Sequence, residues 1–500
     1  MSAKPIMVQG TMSGVGKSLL VAGLCRVLSQ DGLRVAPFKS QNMALNSAIT
    51  PDGLELGRAQ ALQAEAAGIE PRVDMNPVLL KPTSDVGSQV VVRGVPLGTM
   101  PAREYFSFKR SLKDTIRDSY QALAADFDVI VIEGAGSPVE LNLKRDDIVN
   151  MGMAKMASAP VLLVGDIDRG GVFAQLVGTM MLLDEDERRM VKASIVNKFR
   201  GDPTLFDEGL DILRERMGVP VAGLVPYLDV DLEDEDSMSE RLLSRARDTL
   251  VDIAVIRLPK ISNFTDFIVL DALSSVSVRY VTAPQELGRP DLVIIPGTKA
   301  TMNDLTWLRR SGLEAAVTRL ATSGTPILGI CGGYQMLGLS VRDPEGVEGG
   351  GELTGMGLLP IHTTFGTEKR TTRVEGSFQG VEGPLASLAG CPVQGYEIHM
   401  GRTIRDGGLP LLRLATERGY IEDGCQSGNV YGCYLHGIFD SADANQALVK
   451  SLLDCRGLTV EDAPFLDMAT YRSHQLDILA DGVRSSMDMD LIYRIIEEGL

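Results

Sequence analysis

Two short stretches bring together residue types that can make and break covalent bonds. In Ile327-Leu328-Gly329-Ile330-Cys331-Gly332-Gly333, an apolar run ends on a cysteine, then two glycines, then helix-forming residues. The run reads as a buried parallel strand, and the glycines permit a sharp turn and close approach to a substrate. A cysteine opening the following helix meets the positive end of the helix dipole, which favours the thiolate. A base stands ready in Tyr431-Gly432-Cys433-Tyr434-Leu435-His436-Gly437, again at the end of a strand-like run. A third apolar run, 291–295, ends in Pro296-Gly297-Thr298. Nucleophile Cys331, base His436 and a glycine-rich oxyanion loop thus fall at strand ends of one α/β domain, the arrangement of a nucleophilic acyl-transfer site.

The second stretch is Gly10-Thr11-Met12-Ser13-Gly14-Val15-Gly16-Lys17-Ser18. It follows the strand-like run 5–10 and opens a helix expected to run to about Gln30, with Leu20, Leu24, Val27 and Leu28 on its apolar face and Gly32 as its stop. This is the context of a phosphate-binding loop for ATP. Its backbone N–H groups cradle phosphates, Lys17 neutralises them and Ser18 ligates Mg²⁺. The loop departs from the strict pattern, because Gly10 lies one residue upstream of the usual first glycine and Thr11 stands in its place.

These residues need elements to hold them. Runs at 34–38, 128–132, 160–165 and 193–196 read as further strands, each separated from the next by helix-length stretches. Function at strand C-termini of repeated strand–helix units indicates a doubly wound parallel sheet. Glu133 ends one strand beside the phosphate loop and is well placed to hold Mg²⁺. Asp166, Asp168 and Arg169 follow another, and Asn197 ends a third. Gln41, Asn42, Arg58 and Lys81 supply amides and cations near the phosphate site that suit a polycarboxylate substrate, as does Arg169.

The chain has 500 residues, 44 % hydrophobic and 23 % charged, which predicts two or three ordinary globular domains. A net charge of −17 argues against a general nucleic-acid or membrane-surface binder. Six scattered cysteines without a CxxC pair fit a reducing cytoplasm. The N-terminus has no signal-peptide pattern, and no apolar run approaches a membrane span.

With PGTKATMNDL, GICGGYQMLG, GYEIHMGRT and GCYLHGIFD, the second half resembles class I, triad-type glutamine amidotransferases, in their cobyric acid synthase branch. The form GTMSGVGKS resembles the dethiobiotin synthetase-like phosphate-loop family, and Met12 stands where partition ATPases carry a signature lysine. FKSQNMALNS, LGRAQ and NPVLLKP resemble the cobyric acid synthase family in particular.

The resemblance implies an α/β protein of two doubly wound domains, one P-loop NTPase-like and one flavodoxin-like. It implies that Cys331 attacks the amide of L-glutamine with His436 as base, and that N–H groups of Gly297 or Thr298 and of Gly332 hold the oxyanion. It implies that Glu133 binds Mg²⁺ and that Asn197 reads the nucleotide base. It further implies ATP-dependent amidation of the b, d, e and g carboxylates of the corrinoid adenosylcobyrinic acid a,c-diamide. Many triad members carry a glutamate two residues after the histidine; here Ile438 stands there, as in a dyad branch, which leaves open what orients His436. The expected division is an ATP-binding domain at 1–230, an acidic linker at 231–250, an amidotransferase domain at 251–456 and a helical segment at 457–500. The rival readings are the sister enzyme cobyrinic acid a,c-diamide synthase and an ATP-dependent switch; Cys331 with His436 opposes the switch.

Overall fold

The computed structural model describes residues 3–82, 87–232, 249–416, 419–458 and 465–500. The chain forms two compact units, and neither is one continuous segment. The first comprises Met1–Ala44, Leu54–Leu232 and Arg472–Leu500; the second comprises Leu45–Gly53 and Glu233–Tyr471. The expected linker lies almost wholly outside the described residues.

The first unit is built on six parallel strands: β1 (Lys4–Gly10), β2 (Val35–Phe38), β3 (Val129–Glu133), β4 (Val161–Asp166), β5 (Val191–Phe199) and β6 (Val221–Pro226). They lie in the order β6-β5-β4-β1-β3-β2. The central strands are covered on both faces, so their sequences are continuously apolar rather than alternating. The connection order reverses around β1, and a crevice at the C-terminal end of such a strand is where open sheets bind ligands. The helix Lys17–Gln30 leaves β1 there, with Leu20, Leu24, Val27 and Leu28 buried as their spacing predicts. A smaller mixed sheet runs Gln41–Met43, Val78–Pro82, Gly87–Val92, Val95–Pro101, with only the first pair parallel.

The second unit repeats the principle with β7 (Val251–Ile256), β8 (Val276–Val281), β9 (Leu292–Ile295), β10 (Ile327–Ile330), β11 (Cys425–Ser427) and β12 (Val430–Cys433). Their order is β8-β7-β9-β10-β12-β11, parallel except for the edge strand β11. A mixed sheet accompanies it, carried by the long antiparallel strands Ile361–Phe378 and Pro392–Arg405, with Ser340–Asp343 parallel to the first of them. The glycine-rich stretch 345–357, which reads as a loop, includes the strand Gly351–Thr354, paired antiparallel with Ser340–Asp343. Backbone pairing there overrides the low strand preference of glycine.

Packing divides the chain differently from the contiguous boundaries expected at 230 and 456. The segment 45–53 belongs to the second unit, where Thr371 Oγ1 donates to the Gly53 carbonyl (2.7 Å) and Arg373 Nε to that of Ile49 (2.9 Å). The C-terminal segment is helical as expected, Met468–Ser486 and Met489–Glu498, but it is not a separate body. Leu476, Leu479, Ala480, Val483, Ile492, Ile495 and Ile496 share a core with the outer face of the helix Lys17–Gln30. A Cβ on Gly23 would lie 2.6 Å from Val483 Cγ2, so the helices approach closely because that position has no side chain. Arg26–Asp477 and Arg484–Asp31, both at 2.9 Å, flank the apolar seam. Leu479→Ala is expected to destabilise the first unit by about 2–5 kcal/mol, the cost of a large-to-small change at a fully buried site. Urea unfolding followed by ATP-site probes should show the earlier transition.

Candidate active site

In the second unit three strand-end loops converge. After β10, Cys331 takes φ 52° and ψ −108°, a backbone conformation that L-residues other than glycine rarely adopt. Hydrogen bonds on both sides hold it. Its N–H donates to the Cys433 carbonyl (2.9 Å), and its own carbonyl accepts from Gln335 N (3.1 Å) in the helix Gly332–Met336. The surroundings thus over-determine the strained backbone of Cys331. A Cβ on Gly333 would lie 1.9 Å from the Ile295 carbonyl oxygen, and one on Gly332 would lie 2.7 Å from Thr298 Cγ2. One on Gly297 would lie 3.1 Å from His436 Cε1. Of the glycines expected at an oxyanion site, Gly297 is therefore pressed against the histidine and Gly332 against Thr298, the residue that follows Gly297.

His436 is fully buried. Its Nδ1 lies 2.7 Å from Asp266 Oδ2, and Asp266 Oδ1 accepts from the Gly437 N–H (3.2 Å). A dyad left the orienting group unassigned; the structure supplies Asp266, which fixes the ring and leaves Nε2 for the thiol. Asp266 sits in a single helical turn, Phe264–Phe267, far from His436 in sequence and with no motif around it to signal its role. Burial opposes the charged ring. The Asp266 carboxylate and hydrogen bonds with Asp266 and Cys331 outweigh burial and push His436 up to about 10. Asp266 thereby favours the protonated ring against the effect of burial. The Tyr396 ring stacks on it (centroids 5.2 Å apart, planes at 20°), and the two residues exchange backbone hydrogen bonds. This brings the Gly395–Gly401 signature to the catalytic base. His399 of that signature is internal, stacked on Tyr434 at 3.6 Å, and burial lowers it to about 4.

Asn263, in the left-handed region at φ 52°, places its side-chain amide 3.2 Å from His436 Nε2. Its backbone N–H donates to Asn46 Oδ1 (2.8 Å). Asn46 lies in the QNMALNS stretch, which on sequence alone groups with the phosphate site. The structure assigns its side chain to the second unit instead.

In the first unit, the loop after β1 carries Gly14 and Gly16 at φ 75° and 90°. Lys17 Nζ folds back onto the carbonyls of Met12 (3.1 Å) and Gly136 (3.3 Å). A Cβ on Gly10 would meet Val15 Cγ2 at 2.5 Å and Lys17 Nζ at 3.0 Å, so the displaced first glycine still serves the loop. Ser18 Oγ donates to Glu133 Oε1 (2.8 Å), bringing the two expected Mg²⁺ ligands together. Two residues not anticipated as site members complete this cluster. Lys39 Nζ lies 2.8 Å from Glu133 Oε1, and Gln63 Nε2 lies 2.6 Å from Oε2. Asn197 Nδ2 donates to the Val15 carbonyl (2.7 Å), so its amide braces the phosphate loop. Arg169 is exposed, with its guanidinium 4.0 Å from where a Cβ on Gly14 would stand.

Of the remaining substrate candidates only Gln41 lines a cavity of about 420 Å³ in this unit, which Ala135 and Ser137 also border. Asn42 is turned inward onto Gln60 (3.0 Å), and Lys81 is buried in an ion pair with Glu55 (2.7 Å). Both support the wall rather than face a ligand. Arg58 opens the helix Arg58–Ala66, half-buried.

Comparison with known proteins agrees with this division. Residues 6–239 match the family described as CobQ/CobB/MinD/ParA nucleotide binding domain, and residues 252–444 match the CobB/CobQ-like glutamine amidotransferase domain. The cobyric acid synthase of Ruminiclostridium cellulolyticum is 56 % identical, across 100 % of this chain and 98 % of its own. That of Lachnoclostridium phytofermentans is 54 % identical across 100 % of both, and that of Citrobacter koseri 52 % across 99 % and 98 %.

Asp266→Asn is expected to lower the rate of glutamate release from glutamine by at least about a hundredfold. Because Asp266 raises the His436 pKa, its loss should move the alkaline limb of the pH–rate profile to lower pH, a shift that loss of packing alone does not produce. Asn46→Ala should lower the same rate by about tenfold, the worth of one buried hydrogen bond, while leaving ATP binding at its normal strength. Isothermal titration and a coupled glutamate assay separate the two.

Proposed function

The chain belongs to the cobyric acid synthase family of cobalamin biosynthesis and is a glutamine-hydrolysing amidoligase, and on that premise we propose its full reaction. It amidates the b, d, e and g carboxylates of adenosylcobyrinic acid a,c-diamide with ammonia from L-glutamine, driven by ATP. The observation that carries the reading is the pair of strand-end sites in one chain: Ser18 on Glu133 after β1 and β3, and Cys331 with His436 and Asp266 after β10 and β12.

At the second site the Cys331 thiolate adds to the glutamine side-chain carbonyl. The N–H groups of Gly332 and of Gly297 or Thr298 receive the oxyanion. His436 gives its proton to the leaving nitrogen, ammonia departs, and a thioester remains. Water then attacks the thioester while His436 takes its proton, so glutamate is released and the Cys331 thiolate and protonated His436 are restored. Asp266 holds the ring in place through both transfers.

At the first site a carboxylate oxygen attacks the γ-phosphorus of ATP, forming an acyl phosphate and ADP. Ammonia then adds to the acyl carbon, phosphate leaves and the amide remains. The N–H groups of residues 13–18 and the Lys17 ammonium stabilise charge on the transferring phosphoryl group. The donor set fits Mg²⁺: the Ser18 hydroxyl and Glu133 carboxylate converge, and phosphate oxygens and water supply the remainder. The metal would contribute charge neutralisation at the phosphates. Lys39 holds the Glu133 carboxylate in the meantime. All six cysteines are free thiols, which suits a reducing cytoplasm.

Cys331→Ala separates the halves of the reaction. Glutamine-dependent amidation should fall to background, and amidation with high ammonium at raised pH should persist, as read by mass spectrometry of the corrinoid. Loss of both reactions in a folded variant would refute two separable sites. Lys17→Ala should abolish amidation from either nitrogen source.

A further inference from the structure

We infer that the cavity beside the phosphate loop is the corrinoid cleft, and that Lys109 is the cation that grips one of the substrate's carboxylates; this rests on the amidoligase reading above. Lys109 lines the cavity and is only 7 % exposed. Among the described residues it has no ion-pair or hydrogen-bond partner. Its neighbours in charge are committed elsewhere. Asp146 is bound to Arg110 (2.9 Å), and Asp147 accepts backbone N–H bonds from Val149, Asn150 and Gly152 (2.8, 3.0 and 2.8 Å). The cavity's other ammonium, Lys144, is held by Asp184 and Glu187, both at 2.7 Å. A buried cation without a counter-charge is costly unless a ligand supplies one. Burial accordingly pulls the Lys109 pKa below the usual lysine value, and an incoming carboxylate would restore it.

The rest of the wall fits a large apolar ring system bearing acid side chains. Leu80, Met100 and Val149 form its interior, while Met43, Phe106 and Leu143 stand at its rim, 60 %, 43 % and 42 % exposed. An apolar rim this open marks a binding surface rather than a core. Position completes the argument. Ala135 and Ser137 border the cavity, and the carbonyl of Gly136 between them accepts from Lys17 Nζ. One short peptide thus has the phosphate-loop lysine bonded to it and the cavity beside it. A carboxylate of the macrocycle can reach that peptide while another rests on Lys109. Each amidation replaces an anion by a neutral amide, so the grip of Lys109 loosens as the product nears completion. Lys109 therefore discriminates substrate from product.

The test is equilibrium binding to the full chain of two ligands, the a,c-diamide with its carboxylates free and the product with b, d, e and g amidated, followed by corrinoid absorbance. Lys109→Met is expected to raise Kd for the carboxylate form by about tenfold or more, with little change for the amidated form. Lys109→Arg should recover most of the loss. ATP binding in the same samples reports that the unit is folded. Equal effects on both ligands, or on neither, overturn the assignment. The Phe106 ring at the exposed rim lies 5.6 Å from Lys109 Nζ, so Phe106→Glu puts an anion beside that cation and no core at risk. It should weaken the carboxylate form more than the product, and unchanged binding of both overturns the cleft. If the wild-type chain fails to amidate the a,c-diamide with ATP and ammonium, the amidoligase reading itself falls. If it amidates normally while Lys109→Met binds both ligands normally, only the present inference falls.

Discussion

A parallel strand covered on both faces has nowhere along its length to meet a ligand. Its flanks are packed, and its backbone N–H and C=O groups are spent on neighbouring strands. Chemistry must therefore leave the sheet at the strand ends, where the chain turns and a helix begins with unpaired N–H groups. Both units obey this constraint. Lys17, Glu133, Asp166 and Asn197 gather at the ends of β1, β3, β4 and β5; Gly297, Cys331 and His436 gather at the ends of β9, β10 and β12. The tight turns that result explain the glycines. Several of them leave no room for even one more carbon, Gly333 most plainly.

The same burial decides how charge is used. Glu133 with Lys39, and His436 with Asp266, are nearly or wholly withdrawn from water. Ion pairs so deeply buried contribute little net stability, because desolvation cancels most of the attraction. Their value here is positional and electrostatic. Asp266 sets the orientation of His436 and keeps it charged against the pull of burial. Lys39 and Gln63 hold the Glu133 carboxylate where Ser18 of the phosphate loop also meets it. The Lys81–Glu55 pair, equally buried, performs no such task in this geometry and braces the wall behind the small mixed sheet.

The chain's path is less simple than its order of motifs. Residues 45–53 leave the first unit and supply Asn46 to the second, where it fixes the backbone of Asn263 beside His436. The last helices return and cover the outer face of the first helix. The first unit is therefore incomplete until the end of the chain is made. Its folding includes contacts between residues hundreds of positions apart, a topology that slows closure of the core.

Sequence alone determined the elements and the chemistry bound to them. Continuous apolar runs marked the buried parallel strands, and glycine spacing marked the turns at Gly14–Lys17 and Cys331–Gly333. A nucleophile or lysine at each turn declared its reaction because local backbone geometry and the residue's own chemistry suffice to define it. Asp266, Asn263, Lys39 and Lys109 left no such trace. Each is one charged or polar residue whose sequence neighbours do not name its partner, and its place in the site exists only through a partner, or the lack of one, brought near by the fold. What covers a helix face, which unit a loop joins and which lysine keeps an unanswered charge are pairwise facts of space. Tertiary structure decided them because hydrogen bonds and ion pairs depend on distance, and a linear sequence records none between residues far apart.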